Sequence, residues 1–191
     1  MSFNGKGKSR IPDVAEKECT YLESIFPLKN FAHLTTAQRV SLDHLRSLFL
    51  EWILGIQRHH EMTVGWVRSI EHFPKLHIHA ALIAVRPIDC EYAAALWQAM
   101  ASPRYSEAAR VEPYLVGKCG LGYILKELGR PRAEIGYSDY IEAFSTLPAG
   151  SIFPTTPQQR RQYRRIRAQV ANAKRSLQLK ERGCDEDNQD T

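Results

Sequence analysis

The chain lacks several features that would assign it to a common class of protein. Its four cysteines are scattered and form no C-x-x-C pair, which argues against a zinc ribbon and against a disulfide framework. The start of the chain is polar and basic, and the apolar region of a signal peptide does not follow it. The most apolar helical stretch, residues 45–57, is too short for a bilayer and contains Arg46 and Glu51. We therefore expect a soluble, cytoplasmic protein with reduced thiols and no membrane partner.

Acidic residues are scarce in one stretch near the C-terminus. Residues 158–183 hold nine Lys or Arg and a single Glu, in a chain whose net charge is +5. A run of this kind offers ammonium and guanidinium groups to nucleic-acid phosphates, although a solvated helix has the same composition. The candidate DNA contacts in this run are Arg160, Arg161, Arg164, Arg165 and Arg167.

Hydrophobic periodicity and turn residues divide the chain into three parts. We predict an N-terminal lead at residues 1–29, a folded domain at 30–150, and a basic tail at 151–191 that is helical or disordered and ends in an acidic segment. The folded domain shows the order β-α-β-β-α-β-α. One antiparallel sheet with helices on one face is the economical packing for this order, so we expect an α+β fold of the ferredoxin-like type.

Local signals refine this prediction. Pro113 weakens its strand and predicts an edge position, and Thr35 and Thr36 are placed to cap the long helix that follows them. Trp66 and Trp97 are expected in the core. Between the last predicted helix and residue 157 there is no strong period, so no element is predicted there.

The stretch KLHIHAALIA, residues 75–84, puts two histidines into a predicted strand. Because side chains alternate across a strand, His77 and His79 share one face, and the opposite face carries the main apolar row. A single buried histidine is usually a hydrogen-bonded core residue. Two imidazoles two positions apart on one face converge well on one ion, so the pair indicates a metal site.

A third ligand is expected from the neighbouring strand. Residues 63–71 alternate and end in Glu71, which a short hairpin turn would place across from the histidine pair. His72 and His33 are weaker candidates. A carboxylate with two imidazoles suits Mg²⁺ or Mn²⁺ when the open positions take phosphate oxygens, and zinc is less apt for such a site.

A second group of polar residues lies in GYILKEL, residues 122–128. On a helix, Tyr123, Lys126 and Glu127 lie at i, i+3 and i+4 and share one face. A tyrosine beside a lysine can attack phosphorus when its negative charge is stabilised, and a metal on the same phosphate would supply much of the needed electrostatics. The alternative is a surface tyrosine in a row of ion pairs.

Taken in order, three segments resemble the motifs of the HUH endonucleases, which are the rolling-circle replication initiators of plasmids and small single-stranded DNA viruses. The segments are AHLTT at 32–36, HIHAALI at 77–83 and GYILKEL at 122–128. The resemblance covers roughly residues 30–130, and VEPYLVGKC, which precedes the third segment, also looks like the approach to the tyrosine motif. The family's fold is similar to the β-α-β-β-α-β order predicted above.

The resemblance implies a role for each residue of the site. His77 and His79 would ligate a divalent metal, Mn²⁺ or Mg²⁺, with Glu71 as the acidic third ligand. Tyr123 would attack a phosphodiester of single-stranded origin DNA, leaving a 5′-phosphotyrosine bond and a free 3′-OH that primes synthesis. Lys126 would orient the phosphate or keep the tyrosine reactive.

Two departures from the family pattern shape the expectation. Some initiators carry a second tyrosine one helical turn after the first, where this chain has Glu127. We therefore expect a single-tyrosine enzyme in which Glu127 activates water to end a cycle by hydrolysis. The segment GKGKS at 5–9 follows no apolar strand and has the wrong spacing for a phosphate loop. Unwinding would then depend on a host helicase, and synthesis on a host polymerase.

Three alternatives remain open at this point. A transposase or a mobilisation relaxase uses the same chemistry. A non-catalytic DNA- or RNA-binding protein would explain the basic run without the histidines. A plain metal-dependent hydrolase would cut without a covalent adduct. The sequence does not give the origin recognised or the oligomeric state.

Overall fold

The computed structural model describes residues 13–73, 75–101, 108–118, 120–126, 134–145, 147 and 156–186. The strands are β1 (Leu28–Thr35), β2 (Gly65–Glu71), β3 (His77–Ile83), β4 (Ala109–Pro113) and β5 (Glu134–Tyr137). The helices are α1 (Asp13–Ile25), α2 (Leu42–His60), α3 (Cys90–Ala101), α4 (Gly120–Leu125) and α5 (Pro157–Glu186), with a 3₁₀-helix at Ile141–Phe144.

The five strands form one open antiparallel sheet in the order β4-β1-β3-β2-β5. The predicted α+β class is confirmed, and the chain order β1-α2-β2-β3-α3-β4 is the predicted one. As Pro113 indicated, β4 is an edge strand, where a residue without an N–H is tolerated. The other edge strand, β5, was missed because its four residues are too short to show a period.

Helices cover both faces of the sheet, so the prediction of helices on one face is wrong. One core lies between the sheet and the two crossover helices α2 and α3. A second core joins the opposite face to α1, α4, the 3₁₀-helix and α5. All seven residues of β3 are buried as a result. Because two histidines lie on one face of β3, the sequence pattern indicated that this face was polar and did not predict helices on it.

The tryptophans in the first core tie its elements together. The indole N–H of Trp52 donates to the carbonyl of Ala93 at 2.7 Å, which joins α2 to α3. The indole of Trp97 donates to the carbonyl of Thr35 at 2.7 Å, which joins α3 to β1. Since buried indole N–H groups need an acceptor, these bonds fix how the crossover helices lie on the sheet. Trp66 is buried as well, as expected.

The cap of α2 differs from the prediction. Ser41 is the N-cap, and its side chain accepts the backbone N–H of His44 at 3.2 Å. Thr35 and Thr36 instead donate to the carbonyls of Ala108 and Gln38. The loop between β1 and α2 therefore extends several residues beyond the threonines, and the nearer serine satisfies the first free N–H groups of the helix. In the described part of the chain no helix is both long and apolar enough to span a bilayer.

Candidate metal centre and its tyrosine

The β2–β3 hairpin brings the three predicted metal ligands together. Glu71 pairs directly with His77 across the two strands, and His79 lies opposite Ser69. Directly paired residues project to the same face, so the carboxylate and both imidazoles share the face that lies under α4. The register follows from a short turn, as the sequence predicted.

The donor atoms of this group are close enough for one ion. The Nε2 atom of His77 lies 3.6 Å from Oε2 of Glu71, and Nε2 of His79 lies 3.4 Å from Oε1. One ligand atom from each residue falls within 4.8 Å of the others, so the group can hold a metal ion. Both histidines are buried, and the Glu71 side chain is 15% exposed. The predicted divalent metal therefore has a suitable site, although the geometry does not identify the ion.

The two imidazoles differ in their hydrogen bonds: one ring nitrogen of His77 is bonded to a carbonyl, whereas the ring of His79 has no hydrogen bond to any described residue. The Nδ1 atom of His77 lies 2.8 Å from the carbonyl of Lys75. Because a carbonyl only accepts, Nδ1 carries the proton, and the lone pair of Nε2 faces Glu71. In the described part of the chain, neither ring nitrogen of His79 has a hydrogen-bond partner. An imidazole buried without hydrogen bonds is costly, and a metal ion at this site would satisfy one of its two nitrogens.

The protonation of His79 suits the same role. Burial, assisted by the nearby His33, His77 and Lys126, lowers the pKa of His79 to about 3. The imidazole is therefore neutral at ordinary pH, which is the form that ligates metals.

Helix α4 carries the predicted tyrosine to this group, and the predicted lysine, Lys126, directly follows the end of the helix at Leu125. The Nζ atom of Lys126 lies 2.9 Å from Oε1 of Glu71 and 3.5 Å from the centroid of the Tyr123 ring. The Tyr123 ring meets the His79 ring edge-on with 4.6 Å between centroids. Burial works against the ammonium, but its hydrogen bonds to Tyr123 and Glu71 outweigh it and raise the pKa of Lys126 above its ordinary value.

Packing at the start of α4 sets the position of Tyr123. The hydroxyl of Tyr114 donates to Glu23 of α1 at 2.5 Å and accepts the backbone N–H of Leu121 at 3.0 Å. A Cβ at Gly120 would lie 3.1 Å from the Tyr114 ring, so the glycine allows the helix to approach closely. The apolar face of α4 is buried, while Tyr123 is 41% exposed and accessible to a substrate.

A further histidine lies beside the metal group. His33 of β1 pairs with His79 of β3, and its ring centroid lies 4.6 Å from that of His79 and 5.3 Å from that of His77. It is outside the set of donors that fall within reach of one ion. Burial, followed by the charge of His77, lowers the pKa of His33. The sequence suggested His33 only as a weak ligand, because the pairing of β1 with β3 cannot be read locally.

The remaining predicted site residues fall into two groups. Arg160, Arg161, Arg164 and Arg165 are exposed on α5. Arg167 is different, because its guanidinium donates to the carbonyls of Glu142, Ser145 and Leu147 and so anchors α5 to the 3₁₀-helix. Glu127 lies outside the described residues, and its predicted role stays a prediction.

Comparison of the chain with models of protein families, with curated proteins and with solved structures finds no match. Its function therefore has to be inferred from the geometry of the site.

Proposed function

We propose that this protein is a metal-dependent nickase of single-stranded DNA that uses Tyr123 as its nucleophile and initiates rolling-circle replication. The observation that carries the proposal is the meeting of two groups from distant parts of the sequence. Glu71, His77 and His79 converge on one point of the sheet. Tyr123 of α4, and Lys126 directly after that helix, lie against them. A metal site beside an accessible tyrosine is what attack on a phosphodiester requires.

Glu71, His77 and His79 would hold the divalent metal, Mn²⁺ or Mg²⁺. When bound, such an ion polarises a phosphate oxygen and offsets the charge that accumulates on it. The second imidazole nitrogen of His77 is held by the carbonyl of Lys75, which keeps its Nε2 directed at the site.

Tyr123 forms the new bond. Its hydroxyl loses its proton as the oxygen attacks phosphorus, and the bond from phosphorus to the 3′ oxygen breaks. The 3′ oxygen takes up one proton to become a free 3′-OH, so the step has no net gain or loss of protons. The Lys126 ammonium over the ring favours the negative charge that develops on the tyrosine oxygen and can contact the phosphate. Because the phosphotyrosine bond replaces the phosphodiester, the strand can be rejoined without ATP.

The topology supports the same assignment. Strands β4-β1-β3-β2 with both crossover helices on one face match a ferredoxin-like arrangement, and we propose that this is the fold, with β5, α1, α4 and α5 added to it. The resemblance of AHLTT, HIHAALI and GYILKEL to the HUH motifs agrees with the described parts of these segments, since residues 32–35 lie on β1, residues 77–83 on β3 and residues 122–125 on α4.

The proposed reaction also needs further contacts to DNA and two host proteins. The exposed arginines of α5 would contact phosphates of DNA near the origin. Arg167 is left out because it is partly buried and one of its terminal nitrogens bonds to carbonyls around the 3₁₀-helix. A host helicase would unwind the duplex, and a host polymerase would extend the 3′-OH.

The test is cleavage of a pool of fluorescent single-stranded oligonucleotides with random internal sequence, with Mn²⁺ and with EDTA. We expect cut strands and a protein–DNA adduct on a denaturing gel only with Mn²⁺. Tyr123→Phe should abolish the adduct and reduce cleavage at least 100-fold, and His77→Ala should do the same by loss of the metal. Tyr137→Phe, at an exposed tyrosine of β5, is the matched control.

Two results would contradict the proposal. Cleavage without any adduct would indicate a plain metal-dependent hydrolase. Tight binding of the pool, with neither cleavage nor adduct under Mn²⁺, Mg²⁺ or Zn²⁺, would indicate a non-catalytic nucleic-acid-binding protein.

A further inference from the structure

A groove of about 600 Å³ opens beside Tyr123 on the β1–β4 side of the metal group. Phe31 and His33 of β1 and Arg110 of β4 contribute to its floor and rim. The loop that leads to α4 contributes Lys118, and His79 lies where the groove meets the metal group. The groove thus connects the proposed reaction centre to the edge of the sheet.

Three polar side chains form a row across this face. His33 pairs with His79 on one side and with Arg110 on the other, so the three residues occupy neighbouring strands at the same height. Neighbouring strands lie about 4.8 Å apart, and the row therefore extends roughly 10 Å away from the metal group. That length exceeds the rise of about 3.4 Å per nucleotide in a DNA strand.

His33 lies in the middle of this row without belonging to the metal group. It touches the rings of His77 and His79, yet its nitrogens fall outside the set of donors that can share one ion. Phe31 lies two residues earlier on the same face, with its ring stacked on His79 at 6.0 Å between centroids. A half-buried aromatic ring beside imidazole and guanidinium donors is the combination that stacks a base and binds its phosphate.

Arg110 retains donors for a ligand. One of its nitrogens donates to Glu112 at 2.8 Å, and its side chain is 77% exposed. A guanidinium has five N–H donors, so the pair with Glu112 leaves others directed to solvent.

We propose that His33 and Arg110 form a phosphate-binding row that holds the single strand immediately beside the phosphate attacked by Tyr123, with Phe31 under one base. This inference rests on the proposed function and adds to it the path of the substrate. His33 is then a substrate-positioning residue and not a metal ligand.

The experiment separates DNA binding from metal binding. Anisotropy of a fluorescein-labelled pool of random 20-nucleotide single strands in EDTA measures binding without metal or cleavage, and calorimetric titration with MnCl₂ alone measures the metal site. We expect His33→Ala and Arg110→Ala each to weaken strand binding about tenfold and to change Mn²⁺ affinity less than twofold. His79→Ala should instead lose Mn²⁺ binding. His44→Ala, at an exposed histidine of α2 on the far side of the sheet, should change neither.

His33→Gln controls for folding because it keeps an N–H donor, and its strand affinity should stay within threefold of the wild type. A loss of Mn²⁺ affinity in His33→Ala as large as in His79→Ala would overturn the inference and make His33 a ligand. Unchanged strand affinity in both His33→Ala and Arg110→Ala, while the wild-type chain binds the pool, would also overturn it. Failure of the wild-type chain to bind or cleave the pool would reject the proposed function itself, and this inference with it.

Discussion

Glu71 has three neighbours for its two carboxylate oxygens. His77 faces Oε2, and His79 and Lys126 both face Oε1. A metal ion held by the two histidines would therefore share Glu71 with the lysine ammonium. At the scale of single residues, the lysine that we expect to assist the tyrosine also opposes the metal through charge repulsion.

This arrangement predicts opposite effects when the lysine charge is removed. Lys126→Met should raise Mn²⁺ affinity roughly three- to tenfold, since it removes a cation beside the site, and should lower strand cleavage at least tenfold. Calorimetry and single-turnover cleavage measure the two effects. Lys174→Met, at an exposed lysine of α5, should change neither. Parallel loss of metal affinity and cleavage would show that Lys126 supports the metal site instead.

Most of the site formed by Glu71, His77, His79, Tyr123 and Lys126 was predictable because short-range spacing along the chain determines which of these residues share a face. Strand alternation put His77 and His79 on one face, a hairpin turn put Glu71 opposite them, and helical spacing paired Tyr123 with Lys126. The place of His33 was not predictable in this way. It depends on which strand lies beside β3, and that pairing joins residues more than forty positions apart.

At the scale of elements, α5 has two different faces. Ile166 and Val170 are buried in the second core, and Arg167 bonds to the carbonyls around the 3₁₀-helix. The other arginines of its first half face solvent. The basic composition alone could not separate these roles, since the partners of Arg167 are backbone carbonyls about twenty residues earlier.

The two faces of α5 predict different effects for arginine substitutions on the same helix, so each variant serves as a control for the other. Replacing the four exposed arginines, Arg160, Arg161, Arg164 and Arg165, by glutamine should weaken DNA binding without lowering the melting temperature. With single strands, the slope of log affinity against log salt should fall by about 0.7 for each phosphate that an arginine no longer neutralises. Arg167→Gln should instead reduce the free energy of unfolding by about 1–3 kcal/mol and leave the salt slope unchanged. Anisotropy at several salt concentrations measures the salt slope, and urea unfolding measures the free energy of unfolding. A loss of stability in the fourfold glutamine variant, with a smaller salt slope in Arg167→Gln, would contradict the roles given to the two faces of α5.

The element order from β1 to β4 was predictable because its segments have clear periods and turn residues. The packing of α1, α4, α5 and the 3₁₀-helix on the second face of the sheet was not predictable. The histidine face of β3 looks polar in sequence, whereas α4 covers it because the histidines belong to a buried site. Strand β5 carries Gly136 among only four residues, so neither length nor propensity marks it.

At the scale of the whole molecule, the sheet separates two cores, and the hydroxyl groups of two tyrosines join elements that pack around them. Tyr140 donates to the carbonyl of Val64 at 3.0 Å, and Tyr114 links α1 to α4 through Glu23 and Leu121. Burial, with a smaller effect of Asp139, raises the pKa of Tyr140 to about 12, and burial and Glu23 raise the pKa of Tyr114 as well.

These shifts predict alkaline destabilisation. A tyrosine whose pKa is higher in the folded chain stabilises the fold fully below its ordinary pKa of about 10. For Tyr140 this contribution is lost as pH rises from about 10 to about 12, because the unfolded chain loses the proton first. Urea unfolding at pH 8 to 12 should show the decline, and Tyr140→Phe should reduce it in part, since Tyr114 and Lys126, whose pKa values are also raised, contribute to the decline as well. An equally steep decline in Tyr140→Phe would contradict this account.

The proposed function requires that Tyr123 becomes covalently joined to DNA. The most direct measurement is mass spectrometry of peptides from the wild-type chain after incubation with the random single-stranded pool and Mn²⁺, followed by nuclease digestion of the DNA. We expect a nucleotide attached through its 5′ phosphate to the peptide that contains Tyr123, and no such product with EDTA. Cleaved DNA with an unmodified Tyr123 peptide, or a nucleotide on a different residue, would contradict it.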